Sequence, residues 1–103
     1  MSNAIKHLLV GTWHGQEETL SNVQYIVAVQ NDSFSVSAID IHDNEVAQVH
    51  GVEWDEEKAS LLFCCYWESS GRFSKCKLSS ISGDKANFVY QYTDHEILVR
   101  SDV

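Results

Sequence analysis

Residues 23–40 read VQYIVAVQNDSFSVSAID, two runs of alternating apolar and polar side chains on either side of Asn31-Asp32. Asn and Asp tolerate the left-handed backbone that a two-residue hairpin loop demands. With that loop, Val29 faces Phe34, Val27 faces Val36 and Tyr25 faces Ala38, so all three cross-strand pairs fall on one apolar face. The segment is an antiparallel hairpin, and the same pattern continues in both directions from it.

Turn signals recur at Asp43-Asn44, Asp55–Lys58, Ser69-Ser70-Gly71, Gly83-Asp84 and Thr93-Asp94, at the roughly 8 to 12 residue spacing of an antiparallel meander. The segments between them, rich in Val, Ile, Phe, Tyr and Trp, predict strands at about residues 9–17, 23–30, 33–42, 45–54, 59–68, 72–80, 85–92 and 95–100. The one helical signal is a short N-terminal turn at Asn3–Leu8. Connections this short pair sequential neighbours antiparallel. An open meander exposes two long edges, and closing it removes both. The expected architecture is therefore all-β, an eight-stranded up-and-down meander closed into a small barrel, with a two-sheet sandwich as the rival.

The turns also set registers. A four-residue loop at Asp55–Lys58 puts Trp54 against Ala59, Val52 against Leu61, His50 against Phe63 and Gln48 against Cys65. This conflicts with the first hairpin over which face of strand three points inward, and one extra residue near Ser37-Ala38 reconciles them, so a bulge is expected there. A three-residue loop at Ser69–Gly71, with Gly71 left-handed, sets Glu68 opposite Arg72 and Cys64 opposite Cys76. That register leaves Lys75 and Lys77 on the Phe63 face unless strand six is irregular near Phe73–Lys75.

The chain has 103 residues, 44% of them apolar, which suits one domain spanning 1–103 with a core of its own. Fifteen acidic residues against seven basic ones give a formal net charge of −8, which argues against a nucleic-acid partner or an anionic membrane surface. No stretch approaches the roughly 18 apolar residues of a membrane span, and Met1–Val10 lacks a secretory pattern. The expectation is a cytoplasmic protein whose three cysteines are reduced.

Residues 9–15 read LVGTWHG, and the Gly11-Thr12-Trp13 triplet opening the first strand resembles the calycins: the lipocalins, the fatty-acid-binding proteins and the avidins. The resemblance implies a barrel whose narrow end is plugged by Trp13, with Arg100, near the end of the last strand, stacked on the indole. The resemblance supports the architecture and leaves the ligand open.

The catalytic vocabulary is sparse. Asp40, His42 and His50 lie on neighbouring strands, but the registers put His42 and His50 on opposite faces, so no metal site is expected. His14 and His95 occupy surface or rim positions. No Ser-His-Asp order, Gly-x-Ser-x-Gly elbow or phosphate-binding glycine loop is present, and neither catalytic residues nor a cofactor are assigned. Gln48 and His50 fall on the expected inner face, where polar groups must find partners in protein, water or ligand. Together with Tyr25, Phe63, Trp67 and Tyr90 they form the candidate ligand-binding set. The function expected on these grounds is non-catalytic binding of a small apolar or cationic ligand. The alternative is a homodimer or protein-interaction module acting through exposed aromatics such as Tyr66. A small isomerase or cyclase using His50 as proton carrier is the third reading.

Overall fold

A computed structural model describes residues 7–15, 22–93 and 96–101. Seven strands follow one another: β1 (Gly11–His14), β2 (Val23–Gln30), β3 (Ser33–Asp40), β4 (Gln48–Asp55), β5 (Ser60–Trp67), β6 (Arg72–Ser82) and β7 (Lys85–Thr93). They form two antiparallel sheets, β1-β2-β3 and β4-β5-β6-β7. The sheets are stitched together where β3 passes to β4, by the bridge between Ile39 and Val46. Two backbone bonds reinforce the stitch: the Ala47 N–H donates to the Ala38 carbonyl at 2.9 Å and the Asp40 N–H to the Glu45 carbonyl at 2.8 Å.

The first hairpin has the expected register, with Tyr25, Val27 and Val29 opposite Ala38, Val36 and Phe34. Asn31 and Asp32 have φ of 53° and 64°, the paired left-handed residues of a type I′ turn. Within each sheet sequential neighbours pair antiparallel, as the sequence reading has it, but between β3 and β4 the expected continuous ladder is reduced to a single bridge.

Three expectations are corrected. First, there are seven strands rather than eight among the described residues, and no closed barrel. Residues 96–101, where an eighth strand was expected, carry no ladder, and without that strand the meander has nothing to close on. Of the expected helical turn at Asn3–Leu8, residues 3–6 lie outside the described residues, and the Val10 N–H bonds the His7 carbonyl at 3.2 Å at its far end.

Second, the bulge at Ser37-Ala38 is absent, because the β2–β3 ladder runs unbroken from Val23 opposite Asp40 to Gln30 opposite Ser33. The extra residue sits on β4 instead, between His50 and Glu53, where Gly51 takes φ 63°. A one-residue insertion reverses which side chains face inward. Past the bulge Trp54 pairs with Leu61, and before it Val49 pairs with Cys65, so the core face runs through Val49, Val52 and Trp54.

Third, β5 and β6 are offset by one residue from the expected register, with Trp67 opposite Arg72 and Phe63 opposite Cys76. Gly71 is left-handed as expected, at φ 70°. The offset places Lys75 and Lys77 opposite Cys64 and Leu62 on the outer face, so strand six needs no repair near Phe73. Its irregularity lies between Ser80 and Ser82, where Ile81 is turned out to solvent.

The core lies between the inner faces of the two sheets. Val27, Val36 and Ala38 from the first meet Leu61, Phe63, Cys65, Cys76 and Leu78 from the second, with Leu9 and Ala47 at the margins. Aromatic rings span the gap: Tyr25 lies 5.8 Å from Phe63, and Phe34 is stacked on Trp54 at 5.6 Å between ring centroids. The Trp13 indole N–H donates to the carbonyl of fully buried Leu9 at 2.8 Å, which ties β1 to the segment before it. The indole N–H of Trp54 is buried with no partner, a burden of about 1–3 kcal/mol that the surrounding ring packing must offset.

Candidate functional site: an open aromatic face on β7

Strand β7 alternates Ala86, Phe88, Tyr90 and Tyr92 on its inner side with Asn87, Val89, Gln91 and Thr93 on its outer side. The inner side continues the core, because Tyr90 is opposite buried Cys76 and Tyr92 opposite buried Ser74. Yet Tyr90 and Tyr92 are 51% and 55% exposed. β7 is the last strand of its sheet, and among the described residues nothing pairs with its far edge. Two large aromatic side chains on a core-facing side, left half in solvent, mark the place where the fold stops short of covering itself.

The rings form a continuous path from interior to rim. Tyr25 packs on Phe88 at 4.8 Å, Phe88 on Tyr90 at 5.5 Å in a stacked arrangement, and Tyr90 meets Tyr92 edge-on at 5.2 Å. At the outer end the Arg72 guanidinium carbon sits 4.6 Å from the Tyr92 ring centroid, a cation over a π face. The path therefore grades from a dry, apolar end to a charged, solvated one.

Tyr25 anchors the dry end. Burial holds its hydroxyl neutral well above the ordinary tyrosine range, reinforced by the neighbouring thiols of Cys76 and Cys65 and the phenols of Tyr92 and Tyr90. It is a donor and acceptor without charge at any physiological pH. Beside it the Cys65 and Cys76 thiols share a hydrogen bond, which together with burial pushes the Cys65 thiol up, and Cys76 reaches the Ser74 hydroxyl at 3.8 Å. All three cysteines are free, and Cys65 and Cys76 are packed in the core, where the shared hydrogen bond that raises the Cys65 thiol lowers the Cys76 thiol, with Ser74 adding to the lowering.

Of the six residues expected to bind ligand, Tyr25, Phe63, Trp67 and Tyr90 occupy the inner side, and the first three pack into or against the core. Gln48 and His50 do not join them. The Gly51 bulge turns both to the outer face, where His50 is exposed opposite Cys64 and the Gln48 amide donates to the Glu68 carboxylate at 2.6 Å. The polar lining expected for an internal pocket is thus on the wrong side of the sheet. Cys64 likewise faces Lys75 rather than Cys76. Arg100 is exposed in the tail, and the cation stacked on a ring is Arg72.

Phe88, Tyr92 and Arg72 were missed by sequence reasoning. Strand-seven alternation places Phe88 and Tyr92 on the same side as Tyr90, but the half-exposure of Tyr92 follows only from the missing neighbour strand. Among the described residues no group of three or more His, Cys, Asp or Glu side chains gathers to hold a metal ion, and no helix is long and apolar enough to cross a membrane. Comparison with known proteins finds no matching family model, no matching curated protein and no matching solved structure.

Proposed function

We propose that this chain is a non-catalytic binding module that accepts an extended, apolar segment along the open edge of β7. The half-exposure of Tyr90 and Tyr92 on a core-facing side carries the reading. Strand addition needs an unpaired backbone edge for affinity and alternating side-chain positions for selectivity, and β7 offers both over nine residues. A docked strand would extend the aromatic layer on one side and meet half-exposed Val89 on the other. It would also supply the eighth strand that a calycin-like barrel requires. A cytoplasmic setting belongs to the same proposal and is supported by three free thiols in one small domain.

Backbone hydrogen exchange tests the reading. The edge-facing amides of β7 are expected to be protected, either by millimolar amounts of a short alternating Thr-Val peptide or by a strand the protein itself supplies. Edge amides that exchange freely under both conditions overturn it.

A small cationic aromatic ligand is the second reading, favoured by the Arg72–Tyr92 stack, since a face that accepts a guanidinium accepts other soft cations. Titration with phenyltrimethylammonium is expected to perturb the ring resonances of Tyr90 and Tyr92 and to spare those of Tyr66. Unchanged resonances at millimolar ligand dismiss it.

A further inference from the structure

Resting on the strand-accepting reading of β7, we infer that the segment it accepts is residues 96–100 of a second copy, exchanged reciprocally to make a two-fold dimer. Glu96-Ile97-Leu98-Val99-Arg100 lies outside every ladder, with Ile97, Leu98 and Val99 exposed to 87%, 80% and 85%. Three consecutive aliphatic side chains left in water, two of them β-branched, form an edge-seeking strand sequence. Within its own chain the segment pairs with neither β1 nor β7. Its complement is nevertheless part of the same molecule.

The match is one of alternation. In an extended strand Ile97 and Val99 point to one side and Leu98 to the other. Laid antiparallel on β7 with Leu98 opposite Val89 on the outer side, Ile97 falls opposite Tyr90 and diagonal to Tyr92 on the inner side and Val99 opposite Phe88, so the segment covers Val89, Tyr90 and Tyr92, all half-exposed in the lone chain. Each copy carries both the donor segment and the acceptor edge, so the contact is self-complementary and closes about a two-fold axis. Reciprocity matters for size. One five-residue strand on one edge is small beside the roughly 1,200 Å² of a stable interface, and exchange doubles it.

Sedimentation velocity on the full chain is the primary measurement, with a dimer expected at tens of micromolar. Leu98→Pro removes a backbone donor from a residue that is largely exposed in the lone chain, and Val89→Lys charges the acceptor. Each is expected to weaken dimerisation at least tenfold while leaving the far-UV circular dichroism unchanged. Val46→Lys, at an exposed position beside the β3–β4 stitch, is expected to leave association as it was. A dimer indifferent to Leu98→Pro overturns the inference. A monomer in which β7 and residues 97–99 are both protected from exchange overturns it too, by closing the strand onto its own chain, and leaves the strand-accepting edge standing. A monomer whose β7 edge exchanges freely overturns the inference, and it removes the strand-accepting reading as well when the Thr-Val peptide also leaves that edge unprotected.

Discussion

Tyr25 joins the buried and open parts of this protein in one side chain, its ring in the core and its hydroxyl beside Cys65, Cys76, Tyr90 and Tyr92. The fold holds that hydroxyl neutral, whereas in the unfolded chain it ionises near pH 10. Tyr25 therefore contributes its full stability below about pH 10 and loses it as pH rises further, because the unfolded state gives up a proton the folded state keeps. Denaturant titrations from pH 8 to 11 are expected to show stability falling above about pH 10, and Tyr25→Phe to flatten that fall. A wild-type curve no steeper than that of Tyr25→Phe would contradict the placement of the hydroxyl. At this scale the sequence was informative wherever a residue's side followed from plain alternation, as for Tyr25 and Phe63. It misled for Gln48 and His50, whose side depends on a backbone irregularity two or three residues away.

Gly51 is that irregularity, and it shows what hairpin reasoning reaches and what it does not. Strand positions were legible because turn residues punctuate the chain, and β2 was delimited to the residue. The conflict between the two hairpins was legible too, since it requires one extra residue. Its location was not, because either β3 or β4 could absorb it. β4 contains the glycine, and at φ 63° a side chain strains the backbone. A Cβ at Gly51 meets nothing within 4 Å, so the cost of Gly51→Ala is conformational alone. It is expected to lower unfolding free energy by about 1–2 kcal/mol in urea titration, with Gly51→Asn recovering part of the loss. Two equally stable variants would mean that the bulge migrates off Gly51. In β5–β6 the error was the loop, read as three residues where Trp67 opposite Arg72 makes it four, and a single residue was enough to move Lys75 and Lys77 across the sheet.

For the whole molecule, the sequence argued for closure on the ground that two open edges are a hazard. The premise holds, since β1 and β7 each lack a partner on one side among the described residues. What a single sequence does not contain is whether an edge is relieved within the chain or between chains. The charge of the molecule separates the forces at work. Two copies with a formal net charge of −8 each repel one another, and the repulsion is screened as the Debye length falls from about 30 Å at 0.01 M salt to about 8 Å at 0.15 M. An association driven by aliphatic side chains on tyrosine rings is expected to tighten over that range. One that loosens with salt would point to ionic contacts instead.

The unequal lengths of the two end strands decide how far such assembly can run. β7 offers nine residues of backbone, whereas β1 offers only four, about 13 Å of ladder. With the β7 edges occupied by reciprocal exchange, the β1 margin at the other end of each meander is too brief to template the stacking that propagates a fibril. Of its two end strands, the protein thus commits the longer to a terminating partnership and leaves the shorter outside.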